Sequence, residues 1–328
     1  MHRLTRRHLL GLAAGAAGAA ALGLTARPRG TRALVVGGGP AGASHALRLA
    51  LRDPATSVVL VERDPTRLAR AAAPVFGQPT AGPSLATLQA AGVEIVLDEV
   101  TGIDWRGQSA ALFSGRALAF DRILLAPGTA PLPEAMAGLD AAARHRWPAA
   151  WGSPREARRL AATLEALPDA PHVALRLPEK GLAHPEAALT RALDLAQWLA
   201  RHRPAARFTV LDGGAATALA PRFEAARPRA LATAWLVPGT GGRVTAIDAQ
   251  RGRIETDAGR LAVDAVNFLP PLGAGRIAAL AGLTDASHWC PTDAAGCSAL
   301  QPAAMILGDA RAEAPRTLAG ALRLSAPV

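Results

Sequence analysis

Leu34-Val35-Val36-Gly37-Gly38-Gly39-Pro40-Ala41-Gly42 decides the fold. Three apolar residues run into a Gly-x-Gly-x-x-Gly spacing, and an alanine-rich, helix-favouring stretch follows as far as Arg52. Ser57-Val58-Val59-Leu60-Val61-Glu62 comes next, a strand pattern ending in an acid 20 residues past Gly42. Strand, tight turn, helix, strand, acid is the layout of a dinucleotide site. Gly37 allows the sharp turn, Gly39 lets a pyrophosphate reach bare backbone, and Gly42 lets helix and strand pack closely. The helix N-terminus offers free N–H groups and a partial positive charge to the phosphates. Glu62 is placed to accept hydrogen bonds from ribose hydroxyls. In a chain with 32 Gly the fingerprint alone would be a weak signal; its flanking elements make it specific.

The 328 residues suggest about two domains, and a 50% hydrophobic composition is enough for a full core. Net charge is +10, carried by Arg except for Lys180, and there is no Tyr. The arginines are scattered, with no interleaved aromatics to stack bases, so the basic balance does not read as nucleic-acid binding. It fits an Arg-rich compositional bias, or docking of an acidic electron-transfer partner.

Thr5-Arg6-Arg7-His8-Leu9-Leu10 leads into an apolar run over 9–24, and Thr25-Ala26 closes it. A charged start, an apolar middle and a small-residue exit make residues 1–26 an export signal. The Arg6-Arg7 pair points to the twin-arginine route and a periplasmic destination. The run is short and weakly apolar for a bilayer span, so a membrane location follows only if the leader stays uncleaved. Two cysteines occur, Cys290 and Cys297, and outside the cytoplasm they could close a small disulfide loop. The other reading is a plain buried apolar residue. No Cys-x-x-Cys and no metal-like His spacing is present, so no dithiol, covalent haem or metal site is expected.

Further on, 93–97 reads as a strand, 101–104 as a turn, and 110–113 with 117–120 as a hairpin. Asp121-Arg122-Ile123-Leu124-Leu125-Ala126-Pro127-Gly128 is a buried strand breaking at Pro-Gly. Residues 172–177, 185–201 and 208–212 form a second βαβ. Its first turn, Pro178-Glu179-Lys180-Gly181, has no glycine fingerprint, which argues against NAD(P)H. Residues 243–247 and 253–256 read as a hairpin and 262–269 as a strand. Ala304-Met305-Ile306-Leu307 runs into Gly308-Asp309-Ala310.

This order of motifs resembles the two-dinucleotide-domain flavoproteins of the pyridine nucleotide–disulfide reductase superfamily. Asn267-Phe268-Leu269-Pro270-Pro271, Ala281-Gly282-Leu283-Thr284 and Trp289-Cys290-Pro291-Thr292-Asp293 are similar to the flavoprotein subunit of flavocytochrome c sulfide dehydrogenase. The resemblance implies an α/β fold with two Rossmann-like domains, the second inserted in the first. The FAD-binding domain would comprise 31–150 and 262–328, around a second domain at 151–261 without a nucleotide fingerprint. The family's C-terminal interface domain would be absent. FAD, a c-type cytochrome partner, a small sulfur substrate and export are implied with it.

By the same resemblance, Gly37, Gly39, Pro40, Ala41 and Gly42 would hold the pyrophosphate and Glu62 the adenosine ribose. Val100 would offer backbone atoms to adenine, and Pro127 and Gly128 would pass close to the cofactor. Gly308 ends the last strand, and Asp309 would bind the ribityl chain; its plainer role is a helix N-cap. The family's redox cysteine pair is incomplete: Cys290 occupies the second position, and His184 falls where the first is expected. Cys290 is then expected as the attacking thiol, with His184 lowering its pKa, unless His184 is a surface-loop residue. The missing cysteine also fits a non-catalytic FAD-binding relative serving as an assembly subunit. An NADH-linked quinone reductase is the remaining reading, and the 178–181 turn speaks against it.

Overall fold

The computed structural model describes residues 30–69, 75–77 and 81–323, so the leader expected at 1–26 lies outside the described residues. The chain opens with β1 (Arg32–Val36), β2 (Ser57–Glu62) and β3 (Glu94–Leu97). An antiparallel meander follows, β4 (Val100–Asp104), β5 (Ser109–Leu112) and β6 (Ala117–Ala119), then β7 (Arg122–Leu125) and β8 (Thr129–Pro131). The next elements are β9 (His172–Leu177), β10 (Arg207–Asp212) and β11 (Ala232–Leu236). They lead to the antiparallel β12 (Val244–Asp248), β13 (Arg253–Thr256) and β14 (Gly259–Ala262), and to β15 (Ala265–Phe268). Finally come β16 (Leu272–Ala274) and β17 (Ala304–Ile306).

The first sheet runs β17-β7-β1-β2-β3, all parallel. The inner strands β1, β2 and β7 carry continuous apolar runs because both their faces are covered, whereas the edge strand β3 is only partly buried. The two-residue period divides them cleanly. Leu34, Val36, Val59, Val61, Ile123 and Leu125 share a core with Val100, Ala110 and Leu112 of the meander. Ala33, Val35, Val58, Leu60 and Leu124 face the other way, against Ala43 and Ala46 of the fingerprint helix and Leu88. Burying each of the larger side chains contributes about 1.5–3 kcal/mol.

The second sheet runs β11-β10-β9-β15, also parallel. Ala157, Leu160 and Leu164 of helix Pro154–Glu165 share its core with Ala188, Ala192, Leu195 and Leu199 of helix Pro185–His202. The sequence-based boundaries of this unit need correction. The strand at 262–269 pairs with β9 and belongs to the second sheet, so the unit runs past 261. Before 151, Ala143, Trp147 and Ala150 are already buried in its cores. The unit is joined to the first through β8 and β16, which pair antiparallel. The turn expected at 101–104 is the strand β4, whose small polar residues hid its pairing with β5.

Candidate functional site: a dinucleotide crevice

Three turns meet beyond the C-terminal ends of neighbouring strands. Gly37 N–H donates to Val61 O (2.8 Å), Ala126 N–H to Val36 O (2.8 Å) and Leu307 N–H to Leu125 O (2.8 Å). These bonds align the turns after β1, β7 and β17. Strand order reverses at β1, because β2 and β3 lie to one side of it and β7 and β17 to the other. Such a reversal leaves a crevice where ligands of open α/β sheets bind.

The fingerprint glycines have distinct tasks. Gly37 has φ +105°, and a Cβ on it would lie 2.3 Å from Ala126 O. A Cβ on Gly42 would lie 2.0 Å from Gly37 O, so turn and helix touch through their backbones. Gly39 is different, because a Cβ there would meet nothing nearer than Arg67 Nη1 at 3.9 Å. That open space is the cradle. Gly39 caps helix Pro40–Arg52 without a side-chain hydrogen bond, and Pro40 opens the helix, so its first N–H groups stay available to an anion. Ala41 and Gly42 are buried just inside the helix.

Glu62 is buried at the end of β2. Its Oε2 accepts the Gly38 N–H at 2.5 Å and its Oε1 the Asp64 N–H at 2.8 Å. The carboxylate therefore points into the fingerprint turn. The Asp98 N–H donates to Glu62 O (3.1 Å), which brings the start of β4 alongside. Val100 begins that strand, and its side chain lies in the core, leaving backbone atoms as its means of contact.

Across the sheet, Gly128 has φ +63°, and its carbonyl accepts the Gly275 N–H at 2.9 Å. A Cβ on Gly275 would lie 2.2 Å from Pro127 O, so backbone packs on backbone here too. Gly308, at φ +67°, has no Cβ to strike Ala41, where the gap would be 2.8 Å. Asp309 is thereby set beside the start of the fingerprint helix. It is no helix cap: Oδ1 is buried and has no hydrogen-bond partner. Burial raises its pKa, opposed by the charges of His184 and Arg316. A buried acceptor without a donor costs about 1–3 kcal/mol, and a ligand hydroxyl would satisfy it.

The thiol chemistry expected at Cys290 is not supported. Cys290 is fully buried in the core shared by Leu125 and Ala310, and both cysteines are free. Burial, helped by Asp285, pushes its thiol up to about 12, the reverse of an activated nucleophile. Nor is His184 its activator. His184 is half-buried, its Nδ1 lies 2.7 Å from Arg316 O, and its charge acts on Asp309. No sequence motif singles out Arg316. It has φ +48°, its guanidinium lies 3.7 Å over the Trp289 ring, and it donates to the Ala314, Arg311 and Ala312 carbonyls.

The second βαβ has the same topology without the same opening. In place of a fingerprint, the 178–181 turn closes onto the chain, with Leu272 N–H donating to Gly181 O at 2.9 Å. Asp212, at the position in β10 that Glu62 holds in β2, spends its carboxylate internally. It accepts from the Gly214 N–H (2.9 Å), the Ala216 N–H (3.1 Å), the Thr217 hydroxyl (3.0 Å) and the Trp235 indole (3.3 Å). Among the described residues no group of three or more His, Cys, Asp or Glu could hold a metal ion. Among them, too, no helix is long and apolar enough to cross a membrane.

Residues 31–150 match the pyridine nucleotide-disulphide oxidoreductase family. Residues 157–270 match the central region of the sulfide dehydrogenase [flavocytochrome c] flavoprotein chain. The two matches together support a flavoprotein of the pyridine nucleotide-disulphide oxidoreductase superfamily, related to sulfide dehydrogenase flavoprotein chains. Similar folds occur in this superfamily's neighbours. The sulfide:quinone oxidoreductase of Aquifex aeolicus superposes with a TM-score of 0.64 at 15% identity, over 90% of this chain and 74% of that one. A NAD-dependent persulfide reductase from A. fulgidus gives 0.62 at 17% identity, over 85% and 53%. The ferredoxin reductase for the CYP199A2 system of Rhodopseudomonas palustris gives 0.63 at 20%, over 90% and 74%. As a flavoprotein of this superfamily the chain takes FAD, and the open cradle at Gly39 and the orphaned Asp309 carboxylate fit that cofactor's diphosphate and hydroxyls.

Proposed function

We propose that the protein is an FAD-dependent oxidoreductase of the sulfide dehydrogenase type. In this reading it is exported to the periplasm by the twin-arginine route, oxidises a small reduced sulfur compound and passes the electrons to a c-type cytochrome. The observation that carries the reading is the combination in one chain of the FAD crevice and a central unit of the sulfide dehydrogenase kind. The net positive charge, +7 once a leader at 1–26 is removed, supports an acidic docking partner.

Bound FAD supplies the ability to take two electrons from the donor and release them singly. The residues do the holding. Gly39, Ala41 and Gly42 present backbone N–H groups to the diphosphate, while Gly37 and Pro40 shape the turn that brings them to it. Glu62 receives ribose hydroxyls, Val100 offers its main chain to adenine, and Asp309 Oδ1 accepts from the ribityl chain. Pro127 and Gly128 keep the wall beside the cofactor free of side chains. Sulfur capture by a redox disulfide has no support here, because Cys290 is sealed in the core and the described cysteines are unpaired.

An absorbance spectrum of the purified protein tests the reading. Flavin bands that bleach on addition of sulfide and recover with oxidised cytochrome c are expected; a colourless protein, or flavin indifferent to sulfide, overturns it. The burial of Cys290 favours a second reading, an FAD-binding subunit without its own turnover, which the same indifference would support. Asp212's saturated carboxylate weighs against a NADH-linked reductase, and bleaching by NADH would reverse that judgement.

A further inference from the structure

Cys290 is sealed in the core, and a sulfhydryl donor that reacts as its thiolate gives its proton to another group or to solvent. His184 has the necessary geometry. It caps helix Pro185–His202, with Pro185 following it, and its ring rests against Trp151 at 5.8 Å between centroids. Its Nδ1 faces the main-chain oxygen of Arg316 at 2.7 Å. A carbonyl only accepts, so Nδ1 carries the proton and the neutral ring keeps its lone pair on Nε2. Nε2 has no hydrogen-bond partner among the described residues and is not among the nitrogens sealed from solvent.

Two charged groups, Asp309 and Arg316, belong to the same cluster as the ring. His184 and Arg316 both act on the Asp309 carboxyl, lowering a pKa that burial raises. Arg316 is itself drawn to Asp309 and Glu313 and laid over Trp289, which spends part of its charge elsewhere.

We propose that Nε2 of His184 is the proton acceptor of this site. A donor of the type R–SH gives up its S–H proton, which forms the N–H bond at Nε2, while the electron pair stays on sulfur as the thiolate. No electrons change hands in that step. The proposal rests on the sulfur-donor reading above and adds to it the residue that activates the donor.

The experiment uses the FAD-loaded full chain, His184→Ala and His184→Gln, with sodium sulfide as donor and bleaching followed by stopped flow. His184→Ala should bleach at least about 100-fold more slowly, the usual scale of general-base catalysis, and added imidazole should restore much of the rate. Reduction by dithionite should be unaffected, and FAD affinity read by flavin fluorescence should stay within about twofold. In the long-range proton–nitrogen spectrum, the His resonance lost in His184→Gln should show the Nδ1–H tautomer. Equal bleaching rates in wild type and His184→Ala, slow bleaching that imidazole does not rescue, or an Nε2–H tautomer would each overturn the proposal. A wild type that dithionite reduces but sulfide does not would instead bring down the sulfur-donor reading, and this proposal with it.

Discussion

The guanidinium of Arg316 lies 3.7 Å over the indole ring of Trp289, while its own carbonyl faces His184 Nδ1 at 2.7 Å. One residue thus ties the end of the first unit to the long helix of the second. Arg316→Ala removes the ring contact and three donors to carbonyls. It should lower stability by about 2–3 kcal/mol, read by urea titration. Arg316→Lys keeps the charge without the planar fork and should recover less than half of that loss.

Gly39 and Gly42 should separate ligand binding from folding. Gly42→Ala drives a methyl against Gly37 O, where backbone cannot yield, and should give an unstable or insoluble protein. Gly39→Ala has open space within the protein, so the apoprotein should melt within a degree or two of wild type. Its methyl would stand in the phosphate cradle, and FAD affinity by fluorescence titration should fall at least about tenfold.

Asp309 should couple stability to pH in an unusual direction for an acid. Burial raises its folded pKa above the ordinary value of 3.8, so the apoprotein holds the proton more tightly than the unfolded chain does. That stabilising contribution is complete below the unfolded value and is lost as pH rises through the folded one. Asp309→Asn should flatten this loss and make the apoprotein more stable at neutral pH, by thermal melts across pH. The same change should weaken FAD binding by about ten- to a hundredfold, as one charge-assisted hydrogen bond is worth about 1.5–3 kcal/mol.

Native alkylation distinguishes the two cysteines. With its thiol pushed up to about 12 and no exposed surface, Cys290 should resist iodoacetamide at pH 8 until the protein unfolds. Half-buried Cys297 should be modified first, as resolved by peptide mass spectrometry. Prompt labelling of Cys290 in the folded protein would return it to consideration as a nucleophile.

Arg191 is nearly sealed, and its pKa is lowered by burial to about 10. It donates to Phe76 O (2.5 Å), Ala150 O (3.0 Å) and Asn267 Oδ1 (3.0 Å), with its guanidinium near the Phe76 and Trp151 rings. Arg191→Met should cost at least about 3 kcal/mol, because three buried acceptors lose their donor. A denaturant midpoint unchanged from wild type would contradict this.

What the sequence disclosed and withheld follows from the range of the interactions. Gly37, Gly39, Gly42 and Glu62 were readable because a turn, a helix start and a strand end are set by neighbours along the chain. Asp309 could be read for the same reason, as an acid straight after an apolar strand. The run at 262–269 was recognisable as a strand, but nothing local says which sheet receives it, and it joined β9. Depth is equally silent in sequence, so Cys290 looked like a reagent and is part of the core. Arg191 acts on partners 41–115 residues away and the Arg316 carbonyl on one 132 residues away, across distances at which one scattered arginine resembles the next.

The pairing of β8 with β16 has a consequence for how such a molecule can change. The polypeptide leaves the first layer and comes back into it through a single doorway about 5 Å wide, the spacing of adjacent strands. Everything between those two thresholds is therefore a cassette. Its other ties to the first layer include contacts of Arg191 with Phe76 and of His184 with Arg316, and neither of these sets the register of a strand that builds the FAD crevice.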